Sequence, residues 1–71
     1  MAGLLLNDQG DRLEWLVTAH DRHFVGYYRV LEAGKKIEVD AFSRKQDSRD
    51  QALDWLRREA RARGFDASGI K

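Results

Sequence analysis

Three runs of the chain alternate apolar and polar residues with a period of two, the spacing of strands that bury one face. The segment EAGK at residues 32–35 joins the second run to the third, and its Gly34 allows the positive φ that tight hairpins require. The pattern therefore predicts a three-stranded antiparallel meander. The positions expected on the buried face are Leu13, Trp15, Val17 and Ala19, then Phe24, Gly26, Tyr28 and Val30, then Ile37, Val39 and Ala41.

The segment DSRDQALDWLRREARARGF predicts one helix after the strands. Ser48 with Gln51 three residues later is a capping box, and Gly64 stands where a left-handed C′ residue commonly ends a helix. The predicted fold class is thus α+β, in the order β-β-β-α, with the helix covering the face that carries Trp15 and Tyr28. The apolar stripe of this helix comprises Ala52, Leu53, Leu56 and Ala60, with Trp55 on its flank.

Strand register can be predicted because a one-residue slip turns every side chain to the opposite face. With residues 21–22 as the loop of the first hairpin, Trp15 lies opposite Tyr28. With residues 33–34 as the loop of the second, Tyr28 lies opposite Val39. Both choices gather the apolar positions on one face of the sheet.

The same registers bring opposite charges together on the other face. Arg29 would lie between Glu14 and Glu38, and Glu32 would face Lys35. Opposite charges directly across a sheet stabilise it by about 0.2–1 kcal/mol each. The registers follow from the apolar positions alone, so the agreement of the charges is independent support for them.

The single domain is predicted to span residues 12–65. Residues 1–11 are either a tail or a fourth short strand at residues 4–6, because NDQG at residues 7–10 is a strong turn signal. Residues 66–71 are expected to form a C-terminal tail.

Composition excludes several classes of function. The 71 residues contain no cysteine, which removes thiol nucleophiles and cysteine-bound zinc and fits a cytoplasmic location. The longest apolar run near the N-terminus, at residues 4–6, is too short for a signal peptide or a membrane span. A formal charge of +1 gives no general attraction to polyanions. A chain this short buries a small core, so a homodimer is a reasonable supplement.

Both histidines lie in TAHDRHFVGYY at residues 18–28. His20 and His23 would flank the first hairpin loop, but no third histidine or cysteine exists to complete a metal shell. Neither Thr18 nor Ser43 has the setting of a catalytic nucleophile. The prediction is a polar hairpin tip, with no metal, no cofactor, no small-molecule substrate and no enzymatic activity.

The face of the sheet away from the helix is predicted to carry an apolar patch with a charged rim, the anatomy of a protein interface. We therefore expect a small accessory or regulatory module that binds a partner protein or a second copy of itself. Cover by the N-terminal leucines, or no role at all, are the alternatives. The predicted interface residues are Leu16, Val25, Tyr27 and Phe42, with Arg29 setting orientation.

A basic helix surface is the alternative site, which could contact a nucleic-acid backbone. Asp50 and Asp54 share that exposed side, and a cation-rich last turn is also what the helix dipole favours without a ligand. No membrane contact is expected. The residues of this alternative site are Arg44, Lys45, Arg49, Arg57, Arg58 and Arg61.

Overall fold

A four-stranded antiparallel sheet and one C-terminal helix make up the computed structural model, which describes residues 1–34 and 39–70. The α+β class is confirmed, with a fourth strand added at the N-terminus. The spatial order of the strands is β1-β2-β3-β4. Within the described ranges no helix has the length and hydropathy to cross a membrane. The elements are β1 (Ala2–Leu6), β2 (Arg12–Ala19), β3 (Phe24–Leu31), β4 (Val39–Gln46), α1 (Arg49–Ala62) and a 3₁₀ helix (Ala67–Gly69).

The predicted register between β2 and β3 is confirmed. Trp15 lies opposite Tyr28 and Ala19 opposite Phe24, so the two-residue loop 21–22 connects the strands. The N–H of His20 donates to the carbonyl of His23 over 2.9 Å and closes this hairpin. The alternating apolar positions of both strands consequently face α1, and most of them are buried.

The predicted register between β3 and β4 is wrong by three residues. Tyr28 lies opposite Phe42, where Val39 was expected. A slip by an odd number exchanges the two faces of a strand. Phe42 therefore lies on the helix side, and Ala41, opposite Arg29, lies on the other side.

The physical reason for this register is the ring of Phe42. It stacks on Tyr28 with 5.1 Å between ring centroids, and the guanidinium of Arg63 lies 4.4 Å from its centroid. These contacts use an aromatic surface that the predicted register would have turned away from the helix. The charge pairs predicted for Lys35 and Glu38, and the core position of Ile37, lie outside the described residues.

The N-terminal leucines form a strand and do not fold over the sheet. Leu5 lies opposite Leu13 and is buried. The connecting turn is built on Asn7, whose side-chain oxygen accepts hydrogen bonds from the backbone N–H groups of Gln9 and Asp11 at 3.1 and 3.0 Å. Gly10 takes the φ of +81° that completes the turn.

Both predicted ends of α1 are confirmed. The hydroxyl of Ser48 accepts from the N–H of Gln51 at 3.2 Å. At the other end Gly64 has φ +87°, and the N–H of Phe65 donates to the carbonyl of Ala60 at 2.9 Å. This 6→1 hydrogen bond is that of a Schellman motif, and it turns Phe65 back onto the core.

The segment after the helix is not a loose tail, contrary to expectation. Phe65, Ala67 and Ile70 are buried, and the 3₁₀ helix between them packs on α1 and β1. Asp66 caps it by accepting from the N–H of Ser68 at 2.9 Å, and this bond lowers the pKa of Asp66. Residues 65–70 thus close the side of the core that lies under β1.

Gly3 makes room for the indole of Trp15. A Cβ at Gly3 would lie 2.6 Å from Nε1 of Trp15 and 2.9 Å from its Cζ2. This Nε1 is also the buried side-chain polar atom that has no hydrogen-bond partner among the described residues. The tryptophan is held by packing beneath β1, and its ring fits there because Gly3 has no Cβ.

We expect Gly3→Ala to destabilise the fold by about 1–3 kcal/mol, the range for overpacking a filled core. Chemical denaturation measured at low protein concentration checks this. Leu6→Ala on the same strand is the matched control, because Leu6 is 64% exposed and its truncation should change stability by less than about 0.5 kcal/mol. Equal stabilities of the Gly3→Ala variant and the wild type would contradict the packing described.

Candidate functional site

One side of the sheet, called here the outer face, has no element packed on it in the described part of the chain, because α1 packs on the other side. Its residues come from alternate positions of the four strands, and those of β1 and β2 follow from the pairing of Leu4 with Glu14. The outer face comprises Ala2, Leu4, Leu6, Arg12, Glu14, Leu16, Thr18, Val25, Tyr27, Arg29, Leu31, Ala41, Ser43 and Lys45.

Four of the five predicted interface residues lie together on the outer face. Leu16 and Tyr27 are directly opposite each other, and Val25 and Arg29 flank Tyr27 along β3. Leu16 and Tyr27 are both more than a third exposed. Phe42 is the one that the structure places elsewhere, because its register carries it to the helix side.

The apolar patch extends toward β1 and not toward β4. Ser43 and Lys45 occupy the β4 positions opposite Tyr27 and Val25. On the other flank Leu4 and Leu6 are 53% and 64% exposed. Sequence reasoning left these two leucines out of the site, although the turn signal that follows them was the indication that they belong to a strand.

The centre of the outer face is a shallow depression of about 860 Å³. It is open to solvent and spans all four strands. An apolar floor of this shape suits a broad protein surface better than a small molecule, which is usually enclosed on most sides. Its outward-facing lining includes Ala2, Leu16, Thr18, Tyr27, Ala41 and Ser43.

One ion pair crosses the outer face beside this depression. Nε of Arg29 donates to Oε1 of Glu14 over 2.5 Å, and this hydrogen bond lowers the pKa of Glu14. Both side chains are about half exposed, so solvent screens the pair and it contributes little to stability. Its main effect is to hold the Arg29 side chain across the face toward β2.

On the covered side, Phe42 belongs to a small aromatic cluster with Tyr28 and Trp55. The Tyr28 and Trp55 ring centroids are 5.5 Å apart. The hydroxyl of Tyr28 donates to Oε1 of Glu59 at 2.7 Å. Burial, together with this bond to a carboxylate, raises the pKa of Tyr28 to about 12.

The six basic residues of the alternative site do not form one surface. Arg44 and Lys45 are consecutive on β4, so they face opposite sides of the sheet. Arg57 is engaged within the fold, with its Nη1 2.7 Å from Oδ1 of Asp54 and its Nε donating to the carbonyl of Ile70 at 2.8 Å. The remaining three, Arg49, Arg58 and Arg61, are exposed along α1.

His20 and His23 stack at the hairpin tip, with ring centroids 4.8 Å apart. Nε2 of His20 is 3.1 Å from the hydroxyl of Thr18. Desolvation and the positive charge of Lys45 lower the pKa of His23, which favours its neutral form. In the described part of the chain no three potential ligands of the His, Cys, Asp or Glu type are grouped to hold a metal ion.

No protein-family model, no curated protein and no solved structure matches this chain. The functional argument therefore depends on the geometry of the outer face and on the chemistry of its residues.

The Tyr28 hydroxyl provides a test of the covered side. We expect absorbance titration to show a tyrosine that ionises near pH 12 and that is lost in Tyr28→Phe. The raised pKa gives stability that is complete below the ordinary pKa of about 10. This stability is lost as the pH rises through about 12. Glu59→Gln is the matched variant, since a neutral acceptor should move the Tyr28 pKa down. A Tyr28 hydroxyl that ionises near the ordinary pKa of about 10 would contradict the hydrogen bond.

Proposed function

We propose that this chain is a non-enzymatic protein-binding module, an accessory or regulatory protein that acts through its outer face. The observation that carries the proposal is the segregation of exposed apolar side chains. Six large hydrophobic residues are exposed among those the structure describes, and Leu4, Leu6, Leu16 and Tyr27 are on this one face. Contiguous exposed apolar surface rimmed by charge is typical of protein interaction sites.

The simplest occupant is the outer face of a second copy. Two sheets pack face to face at about 10 Å. In such a pair the depressions of the two copies would face each other, and Leu16 and Tyr27 would be buried between them. A two-fold axis parallel to the strands and between β2 and β3 would bring Arg29 of each copy toward Glu14 of the other. The face is therefore complementary to itself in charge as well as in apolar surface.

Self-association would also add to a small core. The buried cluster is confined to the space between the sheet and α1, with residues 65–70 closing one side. Burial of further apolar side chains stabilises by about 25 cal/mol per Å² of surface removed from water. A partner protein of matching apolar surface would provide the same contribution.

Nucleic-acid binding by the basic helix surface stays a prediction, because no structural observation favours it over the outer face. Arg57 is already paired, and the remaining cations are divided between two sides of the sheet and the helix surface. Such binding would fall steeply with salt concentration, whereas association through the outer face would change little.

We expect Tyr27→Ser to abolish association through the outer face while the fold remains intact, because Tyr27 lies at the centre of the patch and is 38% exposed. Sedimentation equilibrium from about 10 µM to about 1 mM, a range that covers weak dimers, measures this. Phe42→Ser is the matched control. The two aromatics are exposed to 38% and 39%, but Phe42 lies on the covered side.

The control variant should lose stability and keep its association. The opposite pattern, in which Phe42→Ser dissociates the protein and Tyr27→Ser does not, would contradict the assignment of the outer face. A wild type that stays monomeric throughout would leave a foreign protein as the occupant and exclude a second copy.

A further inference from the structure

The outward edge of β1 presents backbone groups in a regular row. The N–H of Val17 donates to the carbonyl of Met1 at 2.8 Å, and the N–H of Asn7 donates to the carbonyl of Asp11 at 3.3 Å. In an antiparallel ladder, residues that bond the neighbouring strand alternate with residues that point away from it. The odd-numbered positions of β1 therefore bond β2. The N–H and C=O groups of the even-numbered ones, Ala2, Leu4 and Leu6, point to the open side.

The sequence of β1 does nothing to protect this edge. Natural edge strands are usually kept from pairing by charged side chains, prolines or bulges. β1 reads AGLLL, with no charge and no proline, and its pairing with β2 has no bulge. The strand at the opposite edge, β4, carries the charged residues Arg44 and Lys45. Of the two edges of the sheet, β1 is thus the one suited to accept another strand.

We propose that β1 pairs with β1 of a second copy, antiparallel, about a two-fold axis that passes by Leu4. In this register Leu4 lies opposite Leu4 of the other copy, and Ala2 lies opposite Leu6. Every outward N–H and C=O of these three residues then has a partner, because even-numbered residues of one strand lie opposite even-numbered residues of the other. The result is one continuous sheet of eight strands.

Side chains and charges agree with this pairing. A two-fold axis perpendicular to the sheet keeps both helices on one side and both outer faces on the other. The leucine pair at the axis lies between the Glu14 residues of the two copies. These carboxylates are separated by three strand spacings, about 14 Å, and each is already paired with Arg29. No like charges are brought into contact, because β1 carries no charged residue.

The edge pairing is a separate interface from the one in the proposed function. It uses backbone groups and leaves Leu16 and Tyr27 free to contact a partner, so either interface can exist without the other. One short strand from each copy forms an interface smaller than the usual 1,200–2,000 Å², roughly the class of weak complexes. The dimer should therefore form and dissociate with concentration.

Leu4→Pro tests the edge directly. It removes an N–H that points away from β2, so the bonds within the monomer are kept and the pairing between copies is lost. Leu4→Ile is the matched control, because it keeps both the N–H and the apolar volume. Tyr27→Ser is used as the background, because it removes the outer-face contact and leaves β1 unchanged. In this background we expect sedimentation equilibrium to show a dimer for Tyr27→Ser alone and with Leu4→Ile, and a folded monomer with Leu4→Pro.

Amide hydrogen exchange gives a readout that general destabilisation would not produce. The exchange rate of the Leu4 amide should be lower at 1 mM than at 10 µM protein by about tenfold or more, because its protection follows the fraction of dimer. The neighbouring Leu5 amide, already bonded to β2, should not change. Dimerisation that survives Leu4→Pro and is lost in Tyr27→Ser would overturn the edge pairing and support the outer face. A monomeric wild type at 1 mM, or equal behaviour of the two amides, would also overturn it.

Discussion

A sheet has two faces, and this chain has one helix with which to cover them. α1 carries a single apolar stripe, and that stripe contacts β2, β3 and β4 on one side. On the other side, residues 1–34 and 39–70 provide no cover over the full width of four strands. Both proposals follow from this imbalance, because among the described residues nothing packs on the apolar side chains at the outward positions.

The register of β4 decides what the uncovered side contains. The odd slip moves the aromatic ring of Phe42 to the covered side and leaves small or polar residues, Ala41 and Ser43, in the outer positions. The apolar part of the outer face is thereby displaced toward β1. β1 then has exposed leucines on its outer side and a backbone edge with no neighbouring strand among the described residues, so both proposed modes of association involve this end of the sheet.

Some of this arrangement could be read from sequence. The β2–β3 register and both ends of α1 depend on residues that are close in sequence. The β4 register does not. Apolar residues occur at Ala41 and Phe42 in succession, so alternation fits either facing, and Gly34 with φ +80° fits a short loop or a longer one. The choice is made by rings and charges distant in sequence, Tyr28 and Arg63.

The C-terminal segment and the N-terminal strand were harder to predict for a related reason. Neither has a long periodic pattern, and each is ordered by the other. A Cβ at Gly69 would lie 2.9 Å from Cδ2 of Leu5, which shows how closely the 3₁₀ helix approaches β1. Buried apolar residues on two short segments become a core only when both are in place. Patterns read over short stretches of sequence cannot detect this mutual dependence.

The most direct test of the central claim is a side-chain nuclear Overhauser experiment on Phe42. The face to which this ring belongs determines the composition of the outer face. Cross-peaks from the Phe42 ring to the Tyr28 ring and to the Arg63 side chain are the predicted result. Cross-peaks to Val25 and Tyr27 would show that Phe42 lies on the outer face, and the assignment of both faces would then be wrong.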